Sequence, residues 1–271
     1  MRRDFFKRNI FPSILPLLLG LCLSLNLNAQ AEWNQTDEQG RKEGPWRKLD
    51  GRSLVYEGQF KADKPYGTFQ YYYPDGKLKA VSVFSEAGKY ADSRLYHPNG
   101  RLMAEGRYID QKKDGQWNYY NENEVMVATE TYKEGVKHGS WITYYENGQA
   151  SEEIPWENDR REGIWRQYYP DGQLKSRAIY QDDRLEGLAQ FYYPSGRSMM
   201  SGTYQNSLKE GVWIVFDEEG TASKKETWAK GFLIDTDSVK EGERIKVLRE
   251  DEEGNQFMPG RKPKYELSDP E

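Results

Sequence analysis

A period of 24 residues runs through most of this 271-residue chain and constrains its fold more than any other feature. Gly67, Gly115, Gly139, Gly163, Gly187 and Gly211 share one register, Ala91 takes the missing step, and Gly44 opens an earlier unit one residue short. Two residues after the opening position stand Trp46, Phe69, Trp117, Trp141, Trp165 and Trp213, with Ser93 and Ala189 as exceptions. Five after it stand Tyr72, Tyr96, Tyr120, Tyr144, Tyr168, Tyr192 and Phe216, and nine after it Gly76, Gly100, Gly148, Gly172, Gly196 and Gly220. Seventeen after it come Phe84, Tyr108, Tyr132, Trp156, Tyr180, Tyr204 and Trp228. Chance does not produce such agreement, and an array of supersecondary units is the architecture it implies.

Each recurring position has a physical use. Gly163 to Tyr169 is short and aromatic, which predicts a strand. Pro170-Asp171-Gly172 then reverses the chain, with Pro presetting a type I turn and Gly taking the left-handed bulge position. Asn99-Gly100 and Asn147-Gly148 serve the same purpose. The return strand runs from Gln173 to Tyr180, and Gln181 to Gly187 turns into the next unit. A lone hairpin is marginal in water, so the units must stack. The expected fold is all-β: an elongated single-layer antiparallel meander of about eight hairpins, on the order of 75 Å long at the usual strand spacing. Its domains are a signal peptide (1–31), a polar lead-in (32–43), the repeat array (44–234), and a cap strand near Arg244 to Leu248 within a charged, disordered tail (235–271).

The amino terminus stands apart. Arg2, Arg3, Lys7 and Arg8 precede an apolar run from Ile10 to Leu25, and Ala29-Gln30-Ala31 fits a cleavage site with the cut before Glu32 or after Ala29. Pro12 and Pro16 interrupt the run, which is shorter than the roughly 20 residues a membrane anchor needs. Cys22, the single cysteine, lies within it, so the mature chain has no thiol. Arg2, Arg3, Lys7, Arg8 and Asp4 sum to +3, so removing the segment takes the net charge from −5 to −8. An acidic product has no general attraction for nucleic acid or anionic lipid.

Chemistry needs tuned groups held together. Only His97 and His138 are available, about two units apart, which predicts packing or solvated roles and no metal site. Asp114, Glu162, Glu186 and Glu210 precede opening glycines, with Lys112, Lys113, Arg160, Arg161, Arg184 and Lys209 just before them, a charge row that reads as a solubilised rim or a docking strip. Asp235-Thr236-Asp237-Ser238 lacks the Gly and terminal Glu of a calcium loop. No catalytic residue and no cofactor is expected. The Trp positions and first Tyr positions differ by three residues and so face opposite ways. Trp117, Trp141, Trp165 and Trp213, with Gly139, Gly163, Gly187 and Gly211, are assigned to structure. Tyr144, Tyr145, Tyr168, Tyr169, Tyr192 and Tyr193 form the candidate binding surface.

Tyr132 to Gly139 and Trp156 to Gly163 resemble the aromatic, Gly-containing core of MORN repeats, and the 24-residue unit with Tyr168-Tyr169-Pro170-Asp171-Gly172-Gln173-Leu174-Lys175 is similar to the bacterial MORN-variant form. The resemblance spans Gly44 to Gly231 and implies stacked hairpins used for binding or scaffolding. Some relatives of this type are labelled antitoxins of toxin–antitoxin pairs, whereas a cytoplasmic antitoxin carries no export signal. The expectation is an exported, non-enzymatic module, periplasmic, cell-envelope or extracellular, that binds a protein partner, with a carbohydrate or cell-wall ligand as the alternative. Sequencing the amino terminus of protein recovered from the cell envelope should read from Glu32 or Gln30; a chain that keeps Met1 and stays in the cytoplasm contradicts export.

Overall fold

The computed structural model describes residues 32–239, and the expected signal peptide and cap strand fall outside that range. Among the described residues, twenty-one strands from Gln35–Thr36 to Phe232–Ser238 follow one another as antiparallel neighbours in an open sheet, with one short 3-10 turn at Glu86–Gly88. Each hairpin supplies two strands. The count exceeds two per unit because entering strands are broken at His138, Glu162 and Glu186, and because Gln35–Thr36 and Phe232–Ser238 pair onto the two ends of the array. The all-β meander read from the sequence is the observed fold.

The hairpin loops form as their residues dictate. In the Pro74-Asp75-Gly76 loop the Tyr73 amide donates to the Lys77 carbonyl at 2.8 Å and the Gly76 amide to the Tyr73 carbonyl at 2.9 Å, with Gly76 at φ 83°. This is a type I turn closed by a left-handed residue, and it recurs at Gly100, Gly148, Gly172, Gly196 and Gly220. Between units most turns are two residues long with both φ positive, such as Asp182 at 48° and Asp183 at 66°, the twist-matched hairpin type.

The opening glycine has a specific task. Glu105 pairs with Asn118 and Arg107 with Asp114, so Gly115, Gln116 and Trp117 together stand opposite Gly106 alone. Such a bulge needs a residue at positive φ, and Gly115 sits at 70°. The looped-out backbone lays the Trp117 ring flat over Gly106, where any Cβ would come within 2.4 Å of the ring. Trp117 is wholly buried, and its Nε1 donates to the Arg107 carbonyl that the bulge leaves open, at 3.1 Å. Phe69 covers Gly58 and Trp213 covers Gly202 in the same way, with Trp213 Nε1 donating to the Thr203 carbonyl at 3.2 Å.

The partner of the ring decides how deeply it sinks. Opposite the bulges of Trp141 and Trp165 stand Glu130 and Ile154 in place of glycine, and both rings remain half-buried. Opposite Ala189 stands Ala178, and Leu185, Phe191 and Met200 pack against the cluster that these two alanines form with Trp213. Ring-on-glycine and small-on-small are thus alternative ways of filling one space at interior density. Truncating Trp117 to Ala should cost about 3–5 kcal/mol by leaving a cavity, and Gly106→Ala should destabilise by displacing the ring. Urea midpoints measure both; Trp165→Ala should cost less than Trp117→Ala, and the reverse order would contradict the assignment.

Candidate functional site

The alternation of the strands gives the sheet two chemically different faces. One carries the rings that stand two and seventeen residues after most opening positions, with Tyr71, Tyr119 and Phe191 four after theirs, and over several of them lie the side chains placed two residues before the opening position. Lys113 Nζ stands 4.6 Å from the centre of Trp117 and 4.9 Å from that of Tyr132. Lys137 covers Trp141 and Trp156 at 4.3 and 4.1 Å, and Lys209 covers Trp213 and Trp228 at 4.3 and 4.5 Å. The cation sits against the ring faces while its stem shields them from water. Burial lowers the pKa of Lys113 and of Lys209 from the ordinary lysine value.

The other face carries charge pairs. Arg47 meets Glu57 at 3.2 Å, Arg94 meets Glu105 at 3.4 Å and Arg166 meets Glu153 at 3.4 Å. Exposed pairs of this kind contribute about 0–1 kcal/mol each, so they form a polar surface and add little stability. The first tyrosines stand among them: the Tyr72 hydroxyl donates to Glu57 at 2.9 Å, that of Tyr120 to Glu105 at 3.0 Å, and that of Tyr144 lies 3.2 Å from the Thr129 hydroxyl.

The structure separates the six candidate tyrosines into two groups, all half-buried. Tyr144, Tyr168 and Tyr192 belong to the charged face. Tyr145, Tyr169 and Tyr193 instead lace one unit to the next, their hydroxyls donating to the carbonyls of Tyr168, Tyr192 and Phe216 at 2.8, 2.7 and 2.9 Å. His97 takes the same place, with Nε2 2.9 Å from the Tyr120 carbonyl. His138 lies at a strand break, its backbone amide bonded to the Thr131 carbonyl.

The rim of carboxylates also acts across units. Glu162 accepts from the Asp182 amide at 2.8 Å, Glu186 from the Asn206 amide at 2.7 Å and Glu210 from the Lys230 amide at 2.7 Å, each clasping the next turn. In return Asp183 accepts from the Arg161 amide at 3.0 Å and Asp159 from the Lys137 amide at 2.9 Å. Beyond lining a charged edge, this row satisfies backbone donors at turns, a role whose signal is the nearly constant offset of about one unit between acceptor and donor.

One unit departs from the pattern. Around Ala91 the ladder runs without a bulge from Ala80–Leu95 to Ser85–Tyr90, with Ser82 directly opposite Ser93. The preceding turn spans Glu86 to Lys89, where other turns have two residues, so two residues move from bulge to turn and the period is kept. Where a ring would lie there is a cavity of about 270 Å³ lined by Tyr71, Ser82, Phe84, Lys89, Ser93, Leu95 and Tyr108, among others.

Four of the units match the MORN repeat variant. The matched segments are residues 65–86, 137–158, 161–182 and 185–206. Each MORN-variant segment begins two residues before an opening glycine and ends in the turn that follows the return strand, so the family's repeat and the structural hairpin coincide. The unit at Ala91 lies outside the matched segments. No curated protein matches the chain. Among solved structures, a chain of the crystal structure of TcdB2-TccC3-Cdc42 is 12% identical, with 78% of this chain and 14% of that chain covered and a TM-score of 0.21. A porin-like protein from Bacteroides uniformis ATCC 8492 is 9% identical, with 70% and 92% covered and a TM-score of 0.19. The chain spans about one seventh of the first of these.

Burial, reinforced by neighbouring carboxylates, pushes Tyr72, Tyr120 and Tyr132 up to about 12. The unfolded chain releases these protons near pH 10 while the folded chain keeps them, so their contribution to stability is present below about pH 10 and is lost as pH rises toward 12. The depressed lysines act with the opposite sign, shedding protons in the folded state first. Tyrosinate absorbance should show a late-titrating group near pH 12; all 20 tyrosines ionising together near pH 10 would contradict the packing.

Proposed function

We propose that this chain is an exported, non-enzymatic interaction module that holds a protein partner across several consecutive units of its sheet. The observation that carries the reading is the division of labour within each unit. Rings, opening glycines, second tyrosines and turn carboxylates bind unit to unit, while the charged face with Tyr144, Tyr168 and Tyr192 presents side chains that differ along the array. Arrays built from nearest-neighbour contacts offer extended surfaces of this kind. Charged groups are unevenly spread along the charged face, with Asp92, Arg94, Glu105 and Arg107 gathered in one unit and Glu153 with Arg166 in another, an arrangement suited to matching one particular surface. The MORN-variant match supports a repeat protein that mediates contacts.

Crosslinking of the full-length chain in its native envelope should capture one protein species. Replacing Tyr144, Tyr168 or Tyr192 singly by Ala should weaken that complex by only a few fold, and replacing all three should weaken it by about 100-fold or more, as for an interface spread over units. Loss of the complex on a single change would point to a local site. Sedimentation with peptidoglycan, without a captured protein, would replace the protein partner by a cell-wall polymer. An antitoxin-like role would show as capture of a co-encoded toxin in the cytoplasm.

A further inference from the structure

We propose that the cavity at Ser82 and Ser93 is a site for one planar aromatic ring, supplied by a tryptophan side chain of the partner protein. The array itself supplies the template. At Trp117 an indole lies against Tyr108 of the preceding strand, with centroids 4.8 Å apart, beneath the ammonium group of Lys113 at 4.6 Å. At the cavity Phe84 stands for the preceding aromatic, Ser93 for the tryptophan and Ser82 for the glycine beneath it, while Lys89, at the position of the covering lysine, lies with Nζ 5.1 Å from the centre of Tyr90.

Three departures coincide there. Ala91 replaces the opening glycine, serine replaces tryptophan, and the turn is four residues long. The other unit without a ring at this position, at Ala189, has Leu185, Phe191 and Met200 packed against its core. At Ser93, Leu95, Tyr71 and Tyr108 line the space without filling it. The volume of about 270 Å³ lies below the roughly 300–1,000 Å³ of pockets for drug-sized ligands and suits one or two fused rings.

The floor adds a polar contact. The Ser82 and Ser93 hydroxyls are buried and 2.7 Å apart. In that pair one hydroxyl donates to the other, and the pair keeps lone pairs able to accept from an indole N–H. Phe84 and Tyr108 offer ring faces or edges on two sides, and Lys89 can swing over the ring as Lys113 does over Trp117. A pyranose would use the same walls, but nothing in the array models one, whereas the neighbouring units model an indole.

The inference rests on the proposed interaction role only for the source of the ring; the site itself is tested without a partner. Full-length protein is titrated with N-acetyl-tryptophanamide and followed by the backbone amide NMR signals of Ser82, Ser93, Leu95 and Tyr108. Saturable shifts confined to this region are expected, with binding weakened at least 10-fold for N-acetyl-leucinamide and for methyl glucoside. The double variant S82G/S93W places an indole in the space from within, without the bulge that accompanies Trp117, and should abolish the shifts in a chain that still unfolds cooperatively in urea. Tyr108→Phe, which keeps the wall, should retain binding and serves if the double variant does not fold. Absence of saturation, unchanged binding in a folded S82G/S93W chain, or preference for the glucoside would overturn the proposal. Probe binding without any captured protein would leave the site standing and remove the protein partner.

Discussion

The structure depends on one clasp: a glycine at positive φ lets three residues bulge opposite one, and the third, an aromatic ring, lies down on the neighbouring strand. Without the bulge, consecutive hairpins would share ladder hydrogen bonds and rim contacts but no buried ring, and two-stranded hairpins are marginal on their own. With it, Phe69, Trp117 and Trp213 are nearly or wholly removed from water within a single sheet layer. The indole N–H then repairs the hydrogen bond that the bulge breaks, as at Arg107 and Thr203. Steric fit and polar satisfaction are met by the same residue.

Among the described residues no second sheet or helix covers the apolar face of the layer, and lysines lie over it instead. Lys113, Lys137 and Lys209 lie across the rings, so the face that would be an exposed aromatic strip becomes partly covered by methylene stems capped with charge. The edges are treated in a comparable way. Turn carboxylates such as Glu186 and hydroxyls such as that of Tyr169 bond to backbone groups of the following unit. Several units therefore bind their successors at both rims and through their centres, and the remaining face differs from unit to unit.

Much of this was legible in the sequence, because periodic turns and rings act locally. The Pro-Asp-Gly and Asn-Gly loops, the strand positions and the special conformation of the opening glycines follow from the residues themselves. What was not legible depends on a neighbour. Trp117 and Trp165 look equivalent in the repeat, yet Gly106 beneath one and Ile154 beneath the other make one wholly buried and the other half-buried. The second tyrosines looked like surface, and their bonds to the next unit's carbonyls arise only once the register is known. The Ala91 and Ser93 exceptions were visible as breaks in the pattern, but their meaning required the longer turn that removes the bulge.

The clasp can be observed directly in the proton NMR spectrum of the full chain. A ring lying flat on a glycine shifts its Hα signals strongly upfield, so Gly58, Gly106 and Gly202 should show such shifts together with nuclear Overhauser contacts to Phe69, Trp117 and Trp213, while Gly76 and Gly100 in the open loops should not. Ordinary Hα positions at Gly106 and Gly202, with no contact to an indole, would contradict the bulge-and-ring account.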